Sequence, residues 1–265
     1  MNLVMAGDDG SEAAAGAVDW ATRCAAERDS RLLVVRIAGA GSDVPGDVPV
    51  EGVTIVNESH PASGILVAAH DRDADLVVLG RRGSGGFPSL PIGTTAHHVA
   101  AACGRPVVVV PPMEKPVDQP LVERVIIGVD GLPGSQEAAA WTIRNFNDAH
   151  FTVVHALDSA PAFAQYGDDT SEMYAQIRLR AATLMQDQWA RPFIDGGVSF
   201  DVLVDEGGPA EMLLGAAART SADLVVVGRR DHFPMRGTLG GVSQRVLAYA
   251  PCAAVMVPFP EGETA

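Results

Sequence analysis

Short apolar runs separated by amphipathic segments set the rhythm of this chain. Residues 2–7, 32–37, 53–56, 76–79 and 107–110 are mostly apolar without strict alternation. Runs of that kind predict strands covered on both faces of a sheet. Between the first two, residues 12–28 carry Ala14, Val18, Ala21 and Ala25 at helical spacing, with Ser11 placed to cap the helix. Residues 61–70 predict a second helix that opens on Pro61, and an Ala-rich segment after Gly93-Thr94-Thr95 predicts a third. Such alternation of strand and helix implies an α/β class, a parallel sheet with helices on both faces. Residues 39–52 break the rhythm. They hold Pro and Gly without helical period and are barely long enough for a crossover, so this connection is expected to lack a helix.

The pattern then starts again. Residues 111–121, PPMEKPVDQPL, hold four prolines in eleven positions and can continue neither strand nor helix. Beyond them come strands at 125–129, 151–156 and 198–204, and helices at 136–146 and 209–219. A longer helix is expected over 171–190, with Tyr174, Ile177, Ala181, Leu184, Met185 and Gln188 along one side. Residues 222–258 repeat the plan of 74–110: strand, Gly-rich loop, helix, buried strand. The chain therefore reads as one unit written twice: residues 1–112, a Pro-rich linker at 113–121, residues 122–260, and a polar tail at 261–265. Trp20 and Trp141 fall at equivalent helix positions, which assigns them to the core.

Composition narrows the function classes. The formal net charge of −14 opposes a general nucleic-acid binder, which needs a basic face, and opposes adhesion to anionic membranes. No apolar run approaches the ~20 residues of a membrane span. Lys115, the only lysine, sits among prolines, so neither a Walker lysine nor a Schiff-base lysine is available. Cys24, Cys103 and Cys252 are widely spaced and odd in number, which fits buried thiols in a reducing cytoplasm better than a disulfide framework or a metal site. The N-terminus shows no leader pattern. A cytoplasmic protein is the expectation.

In an open parallel sheet, ligands lie beyond the carboxyl ends of the strands. Asp9 follows the first strand there, and Gly80-Arg81-Arg82-Gly83 follows the fourth. A carboxylate can accept hydrogen bonds from ribose hydroxyls. Glycines let backbone N–H groups approach a polyphosphate, and the helix opening near Gly93 adds its unpaired N–H groups and dipole. Each feature alone has a plainer reading: a turn for the loop, a helix cap for Asp9. His97 and His98 are adjacent on a helix, point about 100° apart and cannot easily share a metal ion. Asp8 and Asp9 face opposite sides of a strand end.

The spacing Gly80-x2-Gly83-x9-Gly93-Thr94 resembles the G-x2-G-x9-G-[S/T] signature of the universal stress proteins. The likeness runs along most of the chain, through GDDGS at 7–11 and ADLVVLGRRGSGGF at 74–87, then GVDG at 128–131, VVHA at 153–156 and VSQRV at 242–246. It implies a tandem, ATP-binding member of that family. The fold so implied is two doubly wound, open, parallel five-stranded sheets of strand order 3-2-1-4-5. They would pack as an intramolecular pseudo-dimer through residues 107–110 and 253–257, with a further homodimer left open.

The same resemblance implies roles. Asp9 would contact the nucleoside, with Gly7, Leu79 and Ile37 lining it. Gly80, Gly83, Gly93, Thr94 and Thr95 would hold the phosphates, with Arg82 and Ser84 in the loop. A Mg²⁺ bridging Asp9 to the phosphates would need only that carboxylate and substrate oxygens. In the second unit Asp130, Ala156, Gly228 and Gly240 are the corresponding positions, and His155 ends a strand where the family also carries His. Asp231 replaces a signature glycine there, and Gly228 to Gly240 is one residue short. A carboxylate inside a phosphate cradle repels its ligand, so the second site is expected to bind weakly or not at all. The implied function is a nucleotide-dependent stress or regulatory protein with a protein partner of unknown identity. Two alternatives stay open: slow ATP hydrolysis or phosphoryl transfer in the same pocket, and an interaction module that binds no nucleotide.

Overall fold

The computed structural model describes residues 1–38, 53–57, 60–83, 90–112, 119–157, 171–229 and 239–259. The first half contains β1 (Leu3–Gly7), α1 (Glu12–Glu27), β2 (Arg31–Ala38), β3 (Val53–Asn57), α2 (Pro61–Asp71), β4 (Leu76–Gly80), α3 (Thr94–Ala102) and β5 (Val107–Val110). The second half contains β6 (Arg124–Gly128), α4 (Pro133–Asn145), β7 (His150–Leu157) and α5 (Ser171–Leu184). It continues with a π-helical turn at Met185–Trp189, α6 (Arg191–Asp195), β8 (Phe200–Glu206), α7 (Pro209–Thr220), β9 (Leu224–Gly228), α8 (Gly241–Tyr249) and β10 (Ala253–Val257).

All ten strands lie in one sheet of order β3-β2-β1-β4-β5-β10-β9-β6-β7-β8. Each half thus runs 3-2-1-4-5. Pairing is parallel within each half, as in β1 against β2 (Gly7 opposite Val35) and β4 against β5 (Gly80 opposite Val110). The halves join where β5 meets β10 antiparallel, with Val108 opposite Val255. Val107–Val110 and Ala253–Val257 are buried throughout. An apolar edge strand left open is a template for uncontrolled association, and pairing the two edges with each other removes both. The outer edge strand β8 instead carries exposed Asp201, Asp205 and Glu206, which discourage further pairing.

One sheet face packs Ala17, Trp20 and Ala21 of α1 and Ala138 and Trp141 of α4 against Val4, Val78, Val108 and Val226. The opposite face packs Ile65 of α2, Val99 of α3, Leu213 of α7 and Val246 of α8 against Met5, Val77, Val109 and Met256. Ser11 caps α1, its side chain accepting from the Ala14 N–H at 3.1 Å.

The expected single helix over 171–190 is interrupted. The α-helix stops at Leu184, and the Ala190 N–H reaches back to the Met185 carbonyl at 2.7 Å, closing a π turn. Among the described side chains of this region only Ala181, Met185 and Ala190 are buried, whereas Ile177 and Gln188 are exposed; the side chain of Tyr174 is outside the described residues. The middle of α5, residues 175–180, is exposed on every side, so no apolar stripe is required of it. The expected irregular crossover at 39–52, most of the linker and the tail fall outside the described residues. Among the described residues no helix is long and apolar enough to cross a membrane.

Candidate functional site

The site is assembled where β1 and β4 end. Gly7 closes β1 directly beside Leu79: a β-carbon built on Gly7 would stand 2.6 Å from Leu79 Cδ2 and 3.4 Å from Ile65 Cδ1. Ile37, half-buried one strand away, packs against the same cluster. The turn after β1 is held by two carboxylates. Asp8 Oδ1 accepts from the Gly10 N–H at 2.8 Å, and Asp9 Oδ1 accepts from the Ser11 N–H at 3.1 Å. Gly10 has φ +78°, a left-handed conformation that side chains disfavour. The two aspartates diverge as expected: Asp8 forms an ion pair with Arg36, whereas the other oxygen of Asp9 lies against Gly83. Any side chain at 83 would collide with that oxygen.

Strand β4 leads into the loop through two anchored residues. A β-carbon on Gly80 would stand 2.6 Å from the Ala13 carbonyl oxygen. That gives Gly80 a packing role, letting the strand pass against the first turn of α1. Gly228 sits in the same way on the backbone of Gly134. Arg81 donates its N–H to the Val110 carbonyl at 2.7 Å and accepts from the Gly93 N–H at 2.8 Å, so both ends of the loop are tied together. Gly93 is the N-cap of α3, with Thr94 exposed and Thr95 half-buried behind it. The first helical hydrogen bond is His97 N–H to Gly93 carbonyl. The N–H groups of Thr94, Thr95 and Ala96 therefore lack intrahelical acceptors, as at every helix start. Arg82 and Gly83 are exposed beside this turn. Ser84, with the rest of 84–89, is outside the described residues.

Gly7, Asp9, Leu79, Gly83 and Gly93 thus converge, with Ile37 on the neighbouring strand end and Thr94 and Thr95 at the helix start. In the second half Asp130 Oδ1 accepts from the Leu132 N–H at 3.1 Å, repeating Asp9, and Gly131 has φ +77°. Ala156 is half-buried near the end of β7. Gly240 is the N-cap of α8 as Gly93 is of α3, its carbonyl accepting from the Gln244 N–H at 2.9 Å. Asp231, the residue expected to spoil this cradle, lies outside the described residues.

Two arginines escaped the sequence reading. Arg81 Nη1 donates to the carbonyls of Ala248 and Ala250, at 3.0 and 2.9 Å, at the end of α8 in the other half. Arg229 Nη1 donates to the carbonyls of Ala101 and Cys103, at 3.2 and 3.0 Å, at the end of α3. Each guanidinium satisfies carbonyls at a helix C-terminus and puts positive charge at the negative end of its dipole. Burial, with Arg82 beside it, holds the Arg81 pKa below its ordinary value. The signal available in sequence was the Gly-Arg pair repeated at 80–81 and 228–229.

Other polar groupings are structural. Ser199 Oγ and Asp201 Oδ2 each lie 2.9 Å from a ring nitrogen of His150. This set stands at the amino ends of β7 and β8, at the opposite end of the strands from the candidate site, and straps the edge strand. His97 and His98 meet edge to face at 5.8 Å, and burial, then the charge of His98, pulls the His97 pKa down. Among the described residues no group of three or more His, Cys, Asp or Glu is placed to hold a metal ion.

Comparison with known proteins gives a consistent picture. Residues 41–111 and 122–258 match the Universal stress protein family. The chain is similar to Universal stress protein Rv2005c of Mycobacterium tuberculosis, 26% identical over 278 residues covering 92% of each chain. It is also similar to a Thermus aquaticus universal stress protein, encoded 3′ of a QAH/OAS sulfhydrylase, at 30% identity over 140 residues, 52% of this chain and 99% of that one. Among solved structures, a universal stress protein from Archaeoglobus fulgidus superposes with a TM-score of 0.64 at 15% identity, covering 99% of this chain and 98% of its own.

Proposed function

The chain belongs to the universal stress protein family, and from that premise we propose that its first half binds ATP and that the protein acts as a nucleotide-dependent regulatory binding protein in the cytoplasm. The observation that carries the reading is the contact between the Asp9 carboxylate and Gly83, directly beside the opening of α3. In this reading Asp9 is the ribose acceptor and Gly83 the phosphate-facing backbone, at the carboxyl ends of β1 and β4, where an open parallel sheet receives its ligand.

Each residue has a separate task in this reading. Gly7, Leu79 and Ile37 form the apolar wall against which a base is excluded from water. Asp9, already oriented by the Ser11 N–H, accepts from the ribose hydroxyls. Gly83 offers a backbone that a phosphate can approach. The first turn of α3 supplies N–H donors, the positive end of its dipole, and the hydroxyls of Thr94 and Thr95. Arg82 adds an exposed positive charge at the rim. The Gly93 N–H is committed to Arg81, so Gly93 shapes the turn and its neighbours donate. A Mg²⁺ accompanying the triphosphate would find Asp9 as its carboxylate. Cys24, Cys103 and Cys252 are all buried, in keeping with a reducing compartment. Nucleotide released from denatured, freshly purified protein and identified by chromatography tests the reading. An adenine nucleotide is expected; protein that carries none and takes up none at millimolar ATP refutes it.

A further inference from the structure

We propose that Arg81 is a positioning residue: it holds the phosphate-facing opening of α3 in place from across the junction between the halves, so that affinity in the first half depends on α8 of the second. This rests on nucleotide binding at that opening. The main chain of Arg81 closes the loop, its N–H donating to the Val110 carbonyl at 2.7 Å and its carbonyl accepting from the Gly93 N–H at 2.8 Å. The residues after it lean on the same glycine. A β-carbon built on Gly93 would stand 3.4 Å from the Arg81 oxygen, 3.5 Å from Arg82 Cα and 3.7 Å from the Gly83 nitrogen. Gly83 in turn lies against the Asp9 carboxylate. Asp9, residues 81–83 and the N-cap of α3 therefore form one contiguous contact. Moving Arg81 moves the backbone proposed to meet the phosphates.

What fixes Arg81 belongs to the other half. Its half-buried side chain ends at the carboxyl end of α8, where Nη1 donates to the carbonyls of Ala248 and Ala250. One residue thus carries the loop on its peptide and the second half on its guanidinium. The second half has the latch without the clasp. Arg229 donates its N–H to the Val257 carbonyl at 2.9 Å and its guanidinium to the end of α3. Yet a β-carbon built on Gly240, the N-cap of α8, meets no atom of Arg229 within 4 Å. The two arginines are matched as ties between the halves and differ in what their peptides hold. A loop already held before its ligand arrives is spared the ordering cost of binding, which is why the clasp bears on affinity.

Amide exchange without ligand, followed by titration calorimetry with ATP, tests this on the full chain. In Arg81→Ala the Gly93 N–H should exchange about tenfold faster than in wild type, because the carbonyl that holds it is no longer fixed, and ATP should bind about tenfold more weakly. Arg229→Ala, which removes the matching tie, should change each by less than about twofold. Arg81→Lys keeps a donor and should show both effects at about threefold; set against Arg229→Lys, it carries the comparison if the alanine variant does not fold. Equal changes in the Arg81 and Arg229 variants mean general loosening and overturn the positioning role. Unchanged Gly93 exchange in Arg81→Ala overturns it too, as does faster exchange with unchanged affinity, and each of these leaves the first-half site standing. A wild type that takes up no ATP at millimolar concentration removes that site and the positioning role with it.

Discussion

Replacing Arg81 with alanine should loosen one of the two latches that tie the halves together. Its guanidinium donates to Ala248 and Ala250 in the last turn of α8. Hydrogen bonds involving a charged group contribute about 1.5–3 kcal/mol each, and a cation at a helix C-terminus adds about 0.3–1 kcal/mol. Against this stands the cost of desolvating the guanidinium, visible in its lowered pKa. The net loss for Arg81→Ala should be about 2–4 kcal/mol, or roughly 5–12 °C in Tm for a chain of this size. Arg229→Ala should match it within about 1 kcal/mol, because its contacts to Ala101 and Cys103 are equivalent. Arg81→Lys keeps the charge but loses the planar fork, and should recover about half. Urea unfolding followed by circular dichroism measures all three. A loss below about 0.5 kcal/mol for Arg81→Ala, the level of an ordinary surface change, would refute the latch.

Gly80→Ala should cost about 1–3 kcal/mol, because the added carbon meets the rigid Ala13 carbonyl at 2.6 Å; Gly228→Ala should do the same in the second half, both read by urea midpoint. Burial pushes the Cys24 thiol from its ordinary 9.0 up to about 12. The thiol therefore stays neutral in the folded chain while the unfolded chain ionises. Its contribution to stability is intact below 9.0 and is lost as the pH climbs from 9.0 toward about 12, and Cys24→Ala should flatten that part of the stability profile. At neutral pH none of the three buried thiols should react with a disulfide reagent until urea is added.

Most strands were legible because each is built on a mostly apolar run, and the repeat was legible because residues 222–258 restate 74–110. The two ends of the loop were legible from its spacing: Gly83 does lie against Asp9, with Gly93 beside Gly83. What escaped was non-local. Nothing near Arg81 in sequence indicates that its side chain ends on α8, some 167 positions away. The packing of Gly80 on the Ala13 carbonyl was also hidden, because a glycine required by a passing helix and one required by a phosphate are the same letter. The break in α5 was hidden because its apolar positions continue the helical count through Met185.

The geometry also selects the best probe of the central claim. Gly83→Asp would disturb Asp9 as well as any ligand. At Gly93, by contrast, a β-carbon meets its nearest neighbour at an ordinary 3.4 Å, and Asp and Ser are both favoured N-caps. Gly93→Asp thus adds a negative charge where phosphates are proposed, with the fold intact, and Gly93→Ser is its uncharged control. Thermal unfolding with and without ATP should show wild type and Gly93→Ser stabilised, by about 2.7 kcal/mol at a hundredfold excess over Kd, and Gly93→Asp unmoved. Equal stabilisation of all three, or of none, would contradict nucleotide binding at the opening of α3.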